Sequence, residues 1–381
     1  MAEELPGKAK APEDPASLPP AGTSVAVAVS GGVDSLCALL MLREAGCDVH
    51  ALHGVFLPGA MPAGLLSGLQ MACSRLGVPL HVLDFSETFS RCVRHPFARA
   101  WAVGKTPNPC ALCNRDVKFS ALMEAAESYG CVMFATGHYA RLERVHAKPP
   151  YSVRLCRGAD ERKDQSYFLS LVPKARFEKV LFPLGGMSKD EARRLVKTAG
   201  FAVPAPEEST DICFVPGGNG ACARYLEREW AAMGIVPPPG GDVLLRGDDG
   251  FERRIGVHGG LWRFTEGQRR GLGIAHSEGL YVLGKDAARK ALIVGPARML
   301  GIAGCETDAA NIFLPPELWP ARLFVRVRYR QKAVSARVSL EGGGLRIVFD
   351  ERQGFTAPGQ VAAVYDGAGR VLAGGIIRAL L

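Results

Sequence analysis

No part of this 381-residue chain stays apolar for the ~20 residues that a helix needs to cross a bilayer, so a membrane-spanning helix is excluded. Residues 1–23 are rich in proline, alanine and charge but hold no apolar core of the kind a secretory leader carries. They read as a disordered arm, and the chain as cytoplasmic. Also missing is the even cysteine set of a disulfide framework. Eleven cysteines at irregular spacing suit a reducing compartment with a few working thiols. Cys37, Cys47, Cys73, Cys131 and Cys156 sit in apolar helix or strand patterns and read as packing residues. There is no internal repeat. What remains is a globular chain, 48% hydrophobic and 22% charged, long enough for roughly two to three domains.

Near the start stands Ser30-Gly31-Gly32-Val33-Asp34-Ser35, between the alternating run Val25–Val29 and the helix-like stretch 35–45 that Gly46 closes. Two glycines let the backbone pass close to an oxyanion, and the following helix offers unpaired N–H groups at its positive end. The two serines add hydroxyl donors. Asp34 cannot serve phosphates directly, but a carboxylate at the mouth of an anion site makes sense if it holds Mg²⁺ against a pyrophosphate. The turn therefore reads as an ATP site. No Gly-Lys-Ser/Thr follows it, and the dinucleotide Gly-x-Gly-x-x-Gly pattern is absent. Ser-Gly-Gly-x-Asp-Ser resembles instead the PP-loop of ATP pyrophosphatases, enzymes that split ATP into AMP and pyrophosphate.

From residue 25 to about 136 strand and helix patterns alternate: strand Val25–Val29, helix 35–45, strand Asp48–Gly54, a helix near 63–76, strand Leu80–Asp84, helix 116–129, strand Cys131–Ala135. The fold class this implies is an α/β doubly wound parallel sheet, with ligands gathering at the strand carboxyl ends. Thr136-Gly137-His138-Tyr139 falls at such an end and can share a crevice with the Ser30–Ser35 turn. Ser188 with Glu191 predicts a capping box for a helix that Gly200 stops. The expected divisions are an arm over 1–23, an ATP-binding domain over 24–218, a small β-rich central module over 219–289, and a C-terminal β-barrel over 290–381. Strands are expected at Ala291–Val294, Leu323–Tyr329, Ala333–Leu340, Leu345–Phe349 and Val361–Tyr365.

The net charge of +8 suggests a polyanionic partner without demanding one. Alternation along Leu323–Arg330 would put Arg326, Arg328 and Arg330 on one strand face as a basic stripe. Arg253, Arg254, Arg263, Arg269 and Arg270 form a second concentration in the glycine-rich middle of the chain.

A second chemical signal is Thr106-Pro107-Asn108-Pro109-Cys110-Ala111-Leu112-Cys113-Asn114. Two prolines stiffen an extended loop, and Cys-x-x-Cys opens into the helix expected from Asp116, whose dipole can stabilise a thiolate. Cys213 follows Asp211, whose charge would hold its thiolate back. A closed zinc site needs four ligands, and only three candidates stand out.

Taken in order, the PP-loop, the Thr106–Asn114 segment, Ala135-Thr136-Gly137-His138-Tyr139, Lys163-Asp164-Gln165-Ser166-Tyr167-Phe168-Leu169, Ser209-Thr210-Asp211-Ile212-Cys213-Phe214 and Thr265-Glu266-Gly267-Gln268-Arg269-Arg270-Gly271-Leu272-Gly273-Ile274 resemble the tRNA-specific 2-thiouridylases over residues 24 to 381. The resemblance implies ATP-dependent 2-thiolation of the tRNA wobble uridine. The uracil 2-oxygen is adenylated, and sulfur arrives as a persulfide fed by a cysteine desulfurase relay. It implies that Cys213 carries the persulfide and Cys113 closes a Cys113–Cys213 disulfide. It implies ATP contacts at Ala28, Val29, Ser30, Gly31, Gly32, Val33, Asp34, Ser35, Gly54 and Gly137, and a target-base border at Asn108, Pro109 and Cys110. Contacts to tRNA would come from His138, Lys163, Asp164, Gln165, Arg328, Tyr329 and Gln360. Arg328 and Tyr329 point to opposite faces of a strict strand, so a bulge or edge is needed there.

Two departures stand out. Some relatives have Asp where this chain has Cys110, which opens an alternative in which Cys110, Cys113 and Cys213 hold a [4Fe–4S] cluster with one iron open to sulfide. The stretch 55–63 is short and lacks an acidic, tryptophan-bearing insertion. Other readings are a different PP-loop tRNA-modifying enzyme and a non-catalytic RNA-binding redox sensor.

Overall fold

The computed structural model describes residues 18–57, 59, 62–145, 152–201, 212–215, 217–218 and 220–381. Most of the expected arm, the 209–211 part of the Cys213 motif and Asp211 with it, and parts of the short 55–63 stretch lie outside the described residues.

Strand β1 (Ser24–Ala28) runs into the glycine turn and helix α1 (Val33–Glu44), followed by β2 (Asp48–Val55), α2 (Leu65–Leu76) and β3 (Leu80–Asp84). The chain then crosses to the other side of β1, where β4 (Met133–Ala135) and β7 (Val180–Leu181) complete a five-stranded parallel sheet in the order β3-β2-β1-β4-β7. The order reverses between β1 and β4, and such a reversal opens a crevice at the strand carboxyl ends. The middle three residues of β1 are buried, as expected of a strand covered on both faces. Helix α1 is buried from Ser35 to Leu42 because it lies beneath the later helix Lys189–Thr198 and contributes with it to one apolar cluster.

Between β3 and β4 the chain is more helical than its pattern predicts. Helix α3 (His95–Ala102) was not anticipated. The helix expected from Asp116 begins at Pro109, so Cys110 and Cys113 lie inside helix α4 (Pro109–Cys113) and not in the loop before it. Proline at the first helical position and Asn108 as cap, accepting from the Ala111 N–H at 3.2 Å, explain the earlier start. A π-helical segment, Asn114–Leu122, follows and leads into α5 (Met123–Ser128). A hairpin of β5 (Ala140–Arg144) and β6 (Val153–Arg157) precedes β7. Helix α6 (Lys189–Thr198) carries the predicted capping box.

The middle module is not only β-rich. Helix α7 (Ala221–Met233) packs on α3, with the Trp230 indole N–H donating to the Ala98 carbonyl at 2.9 Å. Its sheet has the order β10-β11-β8-β9, from β8 (Gly241–Arg246), β9 (Glu252–His258), β10 (Leu280–Asp286) and β11 (Ala291–Pro296). The strand at Ala291 therefore pairs with β10 and β8 and not with the last barrel, because its buried apolar residues complete the core of Val243, Leu280 and Val282. The barrel proper runs from β12 (Ile302–Ala309) through β13 (Asn311–Ile312), β14 (Leu323–Arg326), β15 (Val334–Glu341), β16 (Gly344–Gln353) and β17 (Val361–Tyr365) to β18 (Val371–Leu380), closed by β12 pairing with β18.

The basic stripe is not formed. Strand β14 ends at Arg326, and Val327 to Arg330 turn away before any alternation can line up three arginines. Arg326 is buried against Asp164 at 2.9 Å, since β14 packs the barrel onto the nucleotide domain and its outward face is covered too. The five arginines of the middle module are all exposed, with Arg254 paired to Asp242 and Arg263 to Glu227.

Candidate active site

At the β1–α1 turn, Gly31 takes φ +81°, and Gly32 caps α1 with no side-chain hydrogen bond, leaving the helix's first N–H groups open to an anion. The two serines brace the turn: the Ser35 hydroxyl donates to the Gly32 carbonyl at 3.0 Å and accepts from the Ser30 N–H at 3.1 Å. Gly137, beyond β4, abuts the start of α1, and a Cβ there would lie 2.7 Å from the Asp34 carbonyl carbon. Only glycine lets the two loops meet.

These loops border a cavity of about 450 Å³ lined by Ala28, Val29, Ser30, Asp34, Ser35 and Gly54. Gly137, His138, Gln165, Lys118 and Cys213 line it too. Gly31, Gly32 and Val33 form the turn and helix start beside it. The aromatic anchors of Phe214, edge-on to Phe89 and Phe97, hold the Cys213 segment against α3 and α4, and Phe214 shares an apolar cluster with Cys113.

Cys113 is buried and Cys110 and Cys213 are exposed, all as free thiols. Burial pushes the Cys113 thiol up to about 12, with Lys118 pulling it down and Cys213, Cys110 and Asp116 adding to the rise. Protein packed around Cys110 and Cys213 raises both, and Lys118 lowers both. The helix-dipole activation expected for Cys113 is thus outweighed by burial. Cys113 and Phe214, the neighbour of Cys213, share one buried cluster, which brings the two motifs together. Among the described residues no three of His, Cys, Asp or Glu converge to hold a metal ion. The thiol set, one buried and two exposed, does not fit a cluster in this arrangement.

Asp34 is not a free carboxylate. The Lys189 ammonium donates to both its oxygens at 2.7 Å, and the Tyr139 hydroxyl to Oδ1 at 2.7 Å. The Lys189 side chain is 5% exposed against 33% for Asp34, so a buried cation sits behind the phosphate turn. Asp34 remains partly open to the cavity, and its carboxylate is the group there that would hold Mg²⁺.

Several residues expected at an RNA surface are placed elsewhere. His138 is buried, its Nδ1 2.7 Å from the Thr136 hydroxyl, and burial, then Lys118, holds its pKa well below the usual range; it can meet only what enters the cavity. Asp164 is buried, bound by Arg326 and by the Gly158 and Ser166 N–H groups. Lys163 is half-buried beside it, and Gln165 accepts from the Tyr139 N–H at 3.0 Å. Arg328 lies over the Phe355 ring, and Tyr329 packs on Phe168 with centroids 4.4 Å apart. Gln360 donates to the Thr106 carbonyl at 2.8 Å and the Pro107 carbonyl at 3.3 Å, below the Asn108–Cys110 segment. The sequence does not mark out Lys118 or Lys189, and it marks Tyr139 only as part of the Thr136–Tyr139 segment. Lys118 lies five residues beyond Cys113, a step that points away in an α-helix, and the partner of Lys189 is 155 residues distant.

Comparison with known proteins gives this geometry a family. Residues 23–217 match the family model described as tRNA methyl transferase HUP domain, 244–296 that of a tRNA methyl transferase PRC-barrel domain, and 306–377 that of an aminomethyltransferase beta-barrel domain. The tRNA-specific 2-thiouridylase MnmA of Oleidesulfovibrio alaskensis is 48% identical over 93% of this chain and 98% of its own. The chain belongs to the tRNA-specific 2-thiouridylase family. Other members named MnmA, from Nitratidesulfovibrio vulgaris strain DP4 and Lawsonia intracellularis, are 47% and 42% identical over 93% of this chain, covering 98% and 99% of their own. The three matched models follow the order of the family's parts along the chain. Among the described residues no helix is long and apolar enough to cross a membrane.

Proposed function

We propose that this chain replaces the 2-oxygen of a tRNA wobble uridine by sulfur at the expense of ATP, in the cytoplasm. The observation that carries the reading is that Ser30, Asp34 and Ser35 of the turn line one cavity with Cys213, while Cys113 lies in the apolar cluster of the neighbouring Phe214. An oxide is a poor leaving group. Attack of the uracil 2-oxygen on the ATP α-phosphate converts it into a phosphate ester and frees pyrophosphate, which the open N–H groups of α1, the two serines and buried Lys189 are suited to hold. Mg²⁺ held by Asp34 would supply further positive charge to the leaving pyrophosphate.

Cys213, exposed on its loop, is suited to take a terminal sulfur from a cysteine desulfurase relay. That sulfur then attacks C2 and AMP departs with the C–O electron pair. Cys113, deprotonated in the step, attacks the Cys213 sulfur, so a Cys113–Cys213 disulfide forms and the 2-thio group is released. A dithiol reductant resets the pair. Asn108, Pro109 and Cys110 would border the flipped base, and Arg328 and Tyr329 would contact the tRNA. A non-catalytic redox sensor would not require the phosphate turn.

The test measures pyrophosphate release and 2-thiouridine separately. Cys113→Ser and Cys213→Ser are expected to abolish 2-thiouridine while pyrophosphate release persists, and Asp34→Ala to cut both by about 100-fold or more. Full thiolation by both cysteine variants overturns the sulfur route, and wild-type protein that releases no pyrophosphate in the presence of tRNA overturns the reading as a whole.

A further inference from the structure

The segment that carries both α4 cysteines is held from two other modules at once. Thr106 is buried at its root. Its hydroxyl donates to Glu266 Oε2 at 2.6 Å and accepts from the Lys285 ammonium at 2.8 Å, and Lys285 stands 3.4 Å from Glu266. Both Glu266 and Lys285 belong to the middle module and are almost wholly buried, at 2% and 0% side-chain exposure. Lys285 also reaches the Phe264 carbonyl at 3.2 Å and lies over the Trp101 ring of α3.

From the barrel side, the Thr106 N–H donates to the Pro358 carbonyl at 2.8 Å and the Asn108 N–H to the Gly359 carbonyl at 3.1 Å. Gln360 closes on the carbonyls of Thr106 and Pro107. Gly359, at φ +97°, lets the two segments approach: a Cβ there would sit 3.0 Å from the Thr106 carbonyl. Barrel and middle module also meet directly, because the Phe355 ring occupies the space a Gly267 side chain would fill.

A buried ion pair is weak evidence for stability, since hydrophobic replacement often does as well. What it supplies is direction. Glu266 and Lys285 bind one hydroxyl together, one as its acceptor and one as its donor, and that hydroxyl belongs to the residue from which Pro107, Asn108, Pro109 and the helix of Cys110 and Cys113 are stiffly suspended.

We propose that Thr106, Glu266, Lys285 and Gln360 form a positioning device that fixes the Thr106–Cys113 segment, so that sulfur transfer depends on the middle module and the barrel being docked. The proposal rests on the functional reading above. Adenylation, centred on the Ser30–Ser35 turn and Lys189, uses the segment only as a border to the base; the sulfur step also needs Cys113 held at bonding distance and is the more sensitive of the two. A nucleic acid seated on the outer modules thereby reports to the cysteine helix through one side chain.

The experiment compares Thr106→Val, which keeps shape and loses the hydroxyl, with Thr106→Ser, which keeps the hydroxyl. T106V is expected to slow 2-thiouridine formation by about tenfold or more, leaving pyrophosphate release and the KM for tRNA within about twofold, with T106S close to wild type. Hydrogen exchange at residues 110–113 should quicken by about tenfold in T106V while β1 stays protected. Wild-type thiolation and exchange in T106V overturn the proposal. So does parallel loss of pyrophosphate release, tRNA binding and β1 protection, which marks a merely structural threonine. If the wild type makes no 2-thiouridine, the functional reading fails on its own, and the exchange comparison still decides whether the clamp holds the segment.

Discussion

At the residue scale the site turns on the charge of Lys118. Its side chain lines the cavity, and among the described residues it is the cation that lowers Cys110, Cys113 and Cys213 together, against burial that raises all three. A thiol held near 12 is almost wholly protonated at neutral pH, so loss of the cation shrinks an already small thiolate fraction. Lys118→Met is expected to move the alkylation of Cys213 and Cys113 to higher pH and to slow it at pH 7 by about tenfold, a shift of about one pH unit. Lys118→Arg, which keeps the charge, should recover much of the rate. The check is iodoacetamide labelling followed by mass spectrometry across pH 6 to 10; unchanged profiles in Lys118→Met remove Lys118 from the sulfur chemistry.

At the element scale, the π-helical segment Asn114–Leu122 explains how Lys118 gets there. Five residues beyond Cys113, a side chain on an α-helix points about 140° away, whereas i→i+5 winding stacks residues five apart on roughly one face. Lys118 is therefore not legible in the sequence: a period of 3.6 turns it away from Cys113, and nothing in Asn114–Leu122 announces a wider turn. Other elements were legible because their signals are local: the glycine turn with its serines, the strand at Leu80–Asp84, the Ser188–Glu191 capping box. The roles of Lys189 and Gln360 were not, since each acts on a partner more than 150 residues away. Helix α6 joins the two kinds. Its capping box fixes the first turn, and Lys189 is the first helical residue, so the cap also sets the cation behind Asp34. Ser188→Ala is expected to cost about 1 kcal/mol in chemical denaturation. It should also weaken ATP-dependent pyrophosphate release more than tRNA binding; equal stability and equal release would show that the cap positions nothing.

At the scale of the whole molecule, the barrel is joined to the nucleotide domain by buried charge. Asp164, with no exposed side-chain surface, accepts from Arg326 of β14 at 2.9 Å, from Arg157 of β6 at 3.3 Å, and from the N–H groups of Gly158 and Ser166. Arg326 is 4% exposed, its Nε has no partner among the described residues, and its guanidinium stands over the Tyr365 ring. Such a cation tolerates burial only while a carboxylate faces it. Asp164→Asn keeps the size and the backbone contacts but leaves Arg326 charged and uncompensated, and the expected loss is about 3–5 kcal/mol in unfolding free energy. Replacing Arg326 by Met at the same time removes the stranded charge, so the double variant should be more stable than Asp164→Asn alone. Urea denaturation of the three proteins decides the matter. A single-variant loss within about 0.5 kcal/mol, the range of an ordinary surface substitution, would mean that the pair does not bear on how the barrel docks. The expected pattern assigns Asp164 to the junction between modules, and any effect of its loss on RNA binding then follows from a displaced barrel.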